Sequence, residues 1–570
     1  MEKFFFENNK SMDSPSTCEH VSVKRLPLFS ADIVCLTQFQ DSYKISERSL
    51  LYLMITGTNM IHRLKKQTLL LILTTIGSRL FGLMRTQVIS FLLGTSRSAD
   101  VWGIAFLFPN LFRRLIAEGS MSSAFIPFLS SFKTKEERKR RARFLFSSVG
   151  MLSLILILLL IILIPELLPW LLHGTPLSQS DFATSETVFL TRLMLPFVFF
   201  VCLSALCQSL LNIEDAFFLP ASTPILLSLC IIFSGLISWH FQLNILVGLA
   251  LGVLIGGFVQ FFVQWLALFR KEFVLFPNSF NLPKDVRKTL LLWLPTTVSA
   301  GIYQLNILLC LTFSFNLFNG AVASLNYSLR LTELILGVFA ASTSTALLPT
   351  LTKQEVKSDL NQLHRYTFSS LTDLTFIALP ASLGLILSGY PLIEFLFVHG
   401  EFNSWSQMLT YGALLIFALT LLPLSWYRIL SQVFYALGKI RILVTISCLT
   451  TIINVTGLCI LPNLFPPETN HLGIALSLLI YSWILFFTVY LYCKKLTGMK
   501  LSASQALEFI KIIAASCLIV PLWFPFKMAN SSFGYWLLRV LLSILVYTSA
   551  SYLMKTRALL SVLAISKLRK

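Results

Sequence analysis

The chain has 570 residues, of which 55% are hydrophobic and only 12% are charged, and its mean hydropathy is +0.76. This composition excludes an ordinary soluble domain and indicates a membrane protein. The formal net charge of +19 would favour a nucleic-acid partner in a soluble protein, but here the Lys and Arg residues cluster between long apolar runs, so no such partner is expected.

The first 59 residues are polar and mixed in character. Their apolar patch, LLYLMI (Leu50–Ile55), is too short to cross a membrane and lacks the layout of a signal peptide. We therefore predict a disordered extension over residues 1–59. Met60 stands shortly before the first long apolar run, so a translation start at that residue is an alternative.

Fourteen apolar runs follow, and each is long enough to cross about 30 Å of hydrocarbon as a helix. The second and eighth are longer than a bilayer requires, and we expect them to be tilted or broken, the second around Pro109 and Gly119. The predicted spans are residues 68–93, 99–132, 143–165, 186–212, 219–239, 243–269, 287–315, 320–351, 366–390, 409–437, 440–461, 471–493, 506–526 and 533–554.

Alternate loops carry the basic residues, as cytoplasmic loops do. The segments 133–143, 270–288, 353–365 and 494–500 are basic, as is the C-terminal tail, whereas the loops between them hold almost no Lys or Arg. Arg97 and Lys527 depart from this pattern, and the loop at 213–218 should be basic but is not. We predict an even number of spans with both termini in the cytoplasm.

A weak internal repeat links the second and eighth spans. Arg113–Lys133 reads RRLIAEGSMSSAFIPFLSSFK and Arg330–Lys353 reads RLTELILGVFAASTSTALLPTLTK. Each has an Arg, a nearby Glu, small residues, a Pro and a final Lys. Spans that lie six apart run in the same direction, as in two parallel six-helix halves. The alignment needs a gap, so chance similarity is an alternative.

Arginines occur inside the predicted membrane region. Arg79 and Arg85 lie in the first span, Arg113 and Arg114 in the second, and Arg330 in the eighth. One arginine at a helix centre costs about 2.5–3.5 kcal/mol, so even four of these five facing lipid would cost on the order of 10–14 kcal/mol, as much as a typical fold's whole stability. We therefore expect these side chains to face a shared watery cavity between the two halves.

The sequence offers few acidic partners for these arginines. Arg114 and Glu118 are four residues apart and Arg330 and Glu333 are three apart, so both pairs share a helical face, and internal ion pairs or snorkelling helix ends are an alternative reading. Asp100 is the other carboxylate near the first span. An excess of positive charge in a cavity favours an anionic guest, and the guanidinium fork suits a phosphate or pyrophosphate group.

Chemistry of other kinds has little support. The chain contains no Walker motif, nucleophile elbow or metal-binding run, and its ten cysteines are scattered, mostly in apolar runs. Asp373 and Glu394 lack neighbours at the spacing of a cation site. We therefore expect neither an enzyme nor a bound metal or cofactor.

Two segments resemble the signature of a known family. They are SRLFGLMR (Ser78–Arg85) and GTSRSADVWGIAFLFPNLFRRLIAEGSMSSAFIPFLS (Gly94–Ser130), and they are similar to the MurJ (MviN) family of lipid II flippases in the MOP exporter superfamily. Looser resemblance runs from about Met60 to the C-terminus and includes NYSLRLTELILGV (Asn326–Val338) and LLPTLTK.

The resemblance implies an all-α polytopic protein of the bacterial inner membrane with about 14 transmembrane helices. It implies an N-terminal six-helix lobe over residues 60–270 and a C-terminal six-helix lobe over 271–495. Residues 496–570 would form two additional helices, which flank a groove for a polyprenyl tail, and a basic tail. A cationic cavity would lie between the lobes.

The family's functional residues fall on Arg79, Arg85, Arg113 and Arg330, with its acidic position after the first helix at Asp100. Thr86 departs from the family, which often has an acid there. Some relatives bind a monovalent cation in the second lobe, but those ligands are not matched here, so coupling to a cation or to the membrane potential stays open.

The resemblance implies that lipid II, or a similar polyprenyl-pyrophosphate glycolipid, is moved across the membrane by alternating access, with membrane lipids and cell-wall synthesis proteins as partners. Three alternatives remain: a multidrug antiporter of similar fold, an exporter of another glycolipid, and a scaffold that transports nothing. The antiporter predicts carboxylates in the cavity in place of unpaired arginines.

Overall fold

The computed structural model describes residues 74–560 except 115–119, 133, 173–180, 274, 276–282, 284–285, 287–300, 303, 316, 354–355, 357–358 and 524–531. The extension predicted over residues 1–59 lies outside this range. Within the described residues the regular structure is helical throughout, with no strand.

The described helices follow one another with short connections. We number them α1 (74–93), α2 (Arg97–Phe112), α3 (Ser120–Ser130), α4 (Lys135–Leu172), α5 (Asp181–Met194), α6 (Pro196–Ile213), α7 (Phe218–His240), α8 (Ile245–Arg270), α9 (Gln304–Ser314), α10 (Ala321–Ile335), α11 (Ala341–Leu351), α12 (Leu360–Phe397), α13 (Ser404–Ala436), α14 (Ile440–Ile460), α15 (His471–Thr497), α16 (Ala503–Cys517) and α17 (Phe533–Leu553).

Ten helices in the described part of the chain are long and apolar enough to cross a membrane. They coincide with the predicted third to sixth and ninth to fourteenth spans, and α5 and α6 together form one of them. The prediction of an all-α polytopic membrane protein is confirmed. The count of fourteen stays a prediction, because the other four predicted spans are interrupted by π-helical turns or extend beyond the described residues.

The second and eighth spans both contain a π-helical irregularity. Helix α2 contains Pro109 without breaking there and passes into a π-helical turn at Arg113 and Arg114. Helix α10 passes into a π-helical segment, Leu336–Ala340, before α11. A π turn widens the helix and is a recognised cause of a bend. Gly119, where a break was expected, lies outside the described residues.

Helices pack mainly within two groups. In the first group α7 and α6 pack on α8, α6 packs on α4, and α2 packs on α5; in the second, α13 packs on α10, α12 and α15, and α12 also contacts α16 and α17. Direct contact between α2 and α10 joins the groups. This grouping agrees with two halves, while the domain boundaries at 270 and 495 stay predictions.

Close packing of α7 on α8 has an identifiable sequence cause. Gly248, Gly252 and Gly256 recur at every fourth position of α8, which is the small-residue spacing that lets membrane helices approach closely. A Cβ at residue 252 would lie 2.8 Å from the Cα of Ile231. Only hydrogen fits at that point, so these glycines set the distance between the two helices.

Candidate functional site: an arginine-lined cavity closed at one end

A cavity of about 150 Å³ lies where α1, α2, α9 and α10 meet. Arg85, Arg114 and Arg330 are its basic residues, and Glu333 is its carboxylate. The remaining lining side chains are polar or apolar: Thr86, Ile89, Ala99, Trp102, Gly103, Phe106, Leu107, Asn110, Leu111, Ile231, Gln304, Ile307, Leu308, Leu311, Ala323, Asn326, Tyr327 and Leu329.

Unpaired positive charge is the main electrostatic feature of this region. Within the described residues, Arg79, Arg85 and Arg330 make no ion pair with a carboxylate. Arg330 has one carboxylate, Glu333, and three arginines, Arg114, Arg113 and Arg79, in its electrostatic surroundings. The guanidinium of Arg85 lies 5.9 Å from the ring centroid of Phe106. Like charges held this close attract an anion.

The depth of these residues follows from helix geometry. Asp100 lies in the first turn of α2, and Arg114 lies fourteen positions further along the same span. At about 1.5 Å per residue this places Arg114 roughly 20 Å below the Asp100 end. Arg330 lies roughly 15 Å below Gly320, which precedes α10 at that end. Arg114 and Arg330 therefore lie deep within their spans, well away from the Asp100 end.

Two arginines reach across to glycines on the opposite span. A Cβ at residue 82 of α1 would collide with Nη2 of Arg330, and a Cβ at Gly337 would lie 2.7 Å from the Cζ of Arg79. Gly337 belongs to the π-helical segment that follows α10. Arg330 of the eighth span thus lies against the first span, and Arg79 of the first span lies against the segment after α10. Each glycine provides the space in which a guanidinium group lies.

We expect Gly82→Ala to lower transport about fivefold to tenfold without lowering stability. The new methyl group displaces the guanidinium of Arg330, while alanine in a helix is favoured over glycine by about 0.5–1 kcal/mol. Transport into vesicles and thermal unfolding in detergent are the two measurements. Gly384→Ala is the matched control, because nothing lies within 4 Å of that position. A fall in both quantities for Gly82→Ala would contradict this explanation.

Arg114 is held by a carboxylate on a different helix. Its Nη1 and Nη2 donate to Oε1 and Oε2 of Glu333, both at 2.7 Å, and Nη1 also donates to Oε1 of Gln304 at 2.8 Å. The spacing along the chain suggested partners within one helix, Glu118 for Arg114 and Arg330 for Glu333. Glu118 lies outside the described residues, and Glu333 forms its hydrogen bonds with Arg114. The bond therefore ties α10 to the second span.

We expect Glu333→Gln to destabilise the protein by about 1–3 kcal/mol, because Gln offers charged Arg114 one neutral acceptor in place of two carboxylate oxygens. Both side chains are less than a fifth exposed at this site. Thermal unfolding in detergent measures this loss. The double variant Arg114→Glu with Glu333→Arg should recover much of it. Lys135→Gln, at the more exposed pair with Glu272, is the control and should change little. Equal losses at both sites would contradict a specific stabilising role for the pair of Arg114 and Glu333.

Other residues predicted for the site lie at its edges. Arg113 does not line the cavity, and its Nε and Nη2 donate to Oδ1 of Asn110 at 3.2 Å. Thr86, where the family often has an acid, lines the cavity and donates to the carbonyl of Gly82 at 3.0 Å. It therefore adds no negative charge near Arg85. Arg79 also lies outside the lining, against Gly337.

Asp100 joins the two groups of helices at one end of the cavity. Its carboxylate is buried and accepts from the backbone N–H of Gly320 at 2.5 Å and of Ala323 at 2.9 Å. Helix α10 has no cap from its own Gly320. A carboxylate satisfies the unpaired N–H groups of a helix N-terminus and complements its dipole, so Asp100 acts as the cap of α10 from the opposite half. It is a closing contact and does not line the cavity.

Three glycines surround this contact and close the same end of the molecule. Gly94, Gly320 and Gly400 have φ values of 57°, 97° and 61°, in the left-handed region that favours glycine. A Cβ on each would collide with a backbone oxygen of Glu401, Thr95 or Phe91, respectively. Backbone therefore lies directly on backbone. We call the contacts among residues 91–95, 320–327 and 400–406 the glycine seam.

Hydrogen bonds complete the glycine seam. Tyr327 Oη donates to the carbonyl of Gly94 at 2.8 Å, and the N–H of Glu401 donates to the carbonyl of Phe91 at 3.0 Å. The hydroxyl oxygens of Thr95 and Ser406 are 2.6 Å apart. These bonds connect the end of the first span with elements of the second group of helices. The cavity is thus sealed at its Asp100 end by close backbone contacts, with the ring of Tyr327 packed beside them against Phe397 and Phe402.

Sequence reasoning missed several polar residues of the site. Asn110, Gln304 and Asn326 line the cavity, and Nη1 of Arg428 on α13 lies 3.5 Å from the carbonyl oxygen of Leu336. The available signal for Arg428 was its position inside the predicted span 409–437. Neutral amides give no comparable signal, since membrane helices contain many of them for packing reasons.

Comparison with known families identifies relatives over most of the chain. The family described as "Lipid II flippase MurJ" matches residues 89–547. A probable lipid II flippase MurJ from Treponema pallidum is 32% identical over 485 residues, which is 81% of this chain and 88% of that protein. The probable lipid II flippase MurJ of Rickettsia prowazekii is 29% identical over 455 residues, covering 79% and 88%.

Solved structures give the same result. A lipid II flippase MurJ in an inward closed conformation aligns with a TM-score of 0.72 and 25% identity, over 85% of this chain and 98% of that one. An inward-facing multidrug resistance MATE transporter of the MOP superfamily aligns with a TM-score of 0.63 and 15% identity, over 75% and 98%, and shows the shared fold alone. The resemblance seen in the signature segments is confirmed, and the chain belongs to the MurJ family of lipid II flippases.

Proposed function

We propose that this chain moves lipid II from the cytoplasmic to the outer leaflet of the bacterial inner membrane by alternating access. The observation that carries this proposal is the group of three arginines, Arg79, Arg85 and Arg330, which have no carboxylate ion pair in the described part of the chain. Arg85 and Arg330 line a cavity whose Asp100 end is closed by the glycine seam, and Arg79 lies beside it against Gly337. A pyrophosphate suits such a group of arginines, because its oxygens accept paired hydrogen bonds from guanidinium groups.

The distribution of charge supports an orientation in the membrane. The segment 133–143 is strongly basic and lies at the end opposite Asp100, since α2 and α3 lead away from Asp100 toward it. Basic loops face the cytoplasm. The glycine seam then faces the periplasm, both termini lie in the cytoplasm, and the cavity receives its substrate from the cytoplasmic side.

The size of the cavity supports a closed starting state. A disaccharide-pentapeptide with its pyrophosphate is larger than a drug-sized ligand, whose pockets are about 300–1,000 Å³. The observed 150 Å³ is too small for it. The two groups of helices must therefore separate before the head group enters, and the bond from Arg114 to Glu333 is one of the contacts that must break.

In the proposed cycle the head group enters from the cytoplasmic side and its pyrophosphate binds the unpaired guanidinium groups, while the polyprenyl tail stays in lipid. The halves then rock, the glycine seam opens, and the head group leaves to the periplasm.

An inside-negative potential favours outward movement of the anionic head by about 2.3 kcal/mol per charge per 100 mV. A monovalent cation is an alternative source of energy. Enzymes that polymerise the exported precursor into peptidoglycan are the expected partners.

The deciding experiment is complementation of a bacterium depleted of its own flippase. Wild-type chain should restore growth, and it should restore lipid II that a lipid II-cleaving enzyme added outside the cell can reach. Restored growth without accessible lipid II would favour a scaffold. Loss of both, at normal levels of the protein in the membrane, would overturn the proposal.

A further inference from the structure

One intramembrane arginine has no role in the proposed cycle. Arg192 lies on α5, inside the predicted span 186–212, and its side chain is exposed. Its surroundings are apolar side chains that are themselves exposed, including Phe189 at 54% and Ile162 at 69%. A surface of this kind faces lipid. A charged side chain on such a surface is expected to have a polar or anionic partner, because an uncompensated arginine in hydrocarbon is costly.

The position of Arg192 is fixed by a proline on the neighbouring helix. Nε of Arg192 donates to the carbonyl of Ile161 at 3.0 Å. In an α-helix that carbonyl would accept from residue 165, but Pro165 has no N–H to give. Arg192 therefore fills the place of the missing donor. This bond uses Nε alone, and within the described residues Nη1 and Nη2 have no hydrogen-bond partner.

A cleft of about 570 Å³ opens beside Arg192 between α4 and α5. Pro165 and Pro169 line it on α4, one turn apart. Prolines in a helix interior bend the helix, which accounts for a gap between α4 and α5 at this end. The α5 wall carries Ser185, Val188 and Phe189, which share one helical face with Arg192. The cleft is thus open to lipid, with one positive group inside it.

The cleft lies near the headgroup level of the membrane. Helix α4 leaves its basic segment at about residue 143, and about 20 apolar residues carry it across the hydrocarbon to the region of Pro165. Trp170 follows and is 72% exposed, as expected of the aromatic belt at an interface. Ile161 and the guanidinium bonded to it are therefore just inside the outer boundary of the hydrocarbon.

We propose that this cleft binds the phosphate of an anionic glycerophospholipid from the outer leaflet, with Nη1 and Nη2 of Arg192 as donors. The outer-leaflet assignment rests on the orientation given under the proposed function. The fork of a guanidinium matches phosphate oxygens, and the lipid's own acyl chains cover the apolar surface around Ile162. The bound lipid neutralises the only basic side chain among the described residues that line the cleft.

Native mass spectrometry of the purified full chain with added phosphatidylglycerol tests the proposal. Arg192→Gln should lose one tightly retained lipid, with about tenfold weaker binding. Pro165→Ala should also weaken binding, although every charge is kept, because residue 165 then donates to Ile161 and releases Arg192. The same preparations are assayed for lipid II transport, so failure at this cleft is separable from failure of the flippase.

Arg539 provides a matched control in the same half of the membrane. It lies on α17, where its guanidinium is 4.5 Å from the ring centroid of Tyr535 and 5.8 Å from that of Trp523, so aromatic faces already occupy it. Arg539→Gln should retain the lipid at the wild-type level. Equal lipid retention by wild type and Arg192→Gln, or an equal loss in Arg539→Gln, would overturn the assignment and leave Arg192 as a side chain that only extends to the headgroup region.

Discussion

Arg330→Ala is expected to lower lipid II flipping by about 10- to 100-fold. Arg330 lines the cavity, makes no ion pair within the described residues, and lies against Gly82 of the opposite span. A hydrogen bond to a charged group contributes about 1.5–3 kcal/mol, and each 1.4 kcal/mol is a factor of ten. Thermal unfolding in detergent is measured in parallel, because the variant loses both the attraction of Arg330 to Glu333 and its repulsion from the neighbouring arginines.

The measurement combines complementation of a flippase-depleted strain with transport into vesicles. Arg330→Lys should retain part of the activity, because it keeps the positive charge. It should not retain all of it, because lysine cannot hold a pyrophosphate bidentately. Arg270→Ala is the control, since this exposed arginine at the end of α8 lies away from the cavity. Wild-type flipping by Arg330→Ala, Arg79→Ala and Arg85→Ala alike would refute a cationic substrate site.

The sequence predicted the fold class because its signals are local. A run of about 20 apolar residues must form a helix in a membrane, so α4 to α8 and α12 to α17 coincide with predicted spans. Arginines inside such runs are equally visible along the chain. The cost of exposing them to lipid predicts a cavity around them, and Arg85 and Arg330 do line one.

Contacts between distant parts of the chain were not predictable in the same way. Glu333 pairs with Arg114 across two helices, where spacing offered only neighbours three or four residues away. Asp100 caps α10, which begins more than 200 residues later, so a residue expected near the substrate lies at a closing contact. Such contacts depend on which faces of the helices meet, and periodicity along one helix carries no information about that.

Arg192 illustrates a further limit. Its position within an apolar run was as visible as that of Arg79, yet its meaning depends on a carbonyl made available by Pro165 on another helix. The same residue type is therefore proposed as a substrate ligand in one place and lies on the exposed surface in another. Only the packing distinguishes them. Arg330 has Arg114 and Glu333 in its electrostatic surroundings, whereas Arg192 lies among exposed apolar side chains.

Joining the glycine seam covalently is expected to stop transport altogether. The hydroxyl oxygens of Thr95 and Ser406 are 2.6 Å apart and belong to the two groups of helices that must separate. Thr95→Cys with Ser406→Cys should form a disulfide under mild oxidation, since side chains in contact at this range place the two sulfur atoms within bonding reach. If the head group leaves through this end, the oxidised protein cannot release it.

Flipping should therefore fall to background on oxidation and return on reduction, measured in the same vesicles. Each single cysteine variant is a control, because it shows the effect of oxidising one introduced thiol. It also shows the effect of oxidising the exposed native thiols of Cys448, Cys459 and Cys517. An uncrosslinked seam would have to open by breaking the Asp100 cap of α10 and the bond from Tyr327 to Gly94. Contacts between backbones are well suited to this, because they exclude water when closed and leave polar groups that water satisfies when open. Full transport by the oxidised double variant would place the exit elsewhere and remove the role assigned to this end.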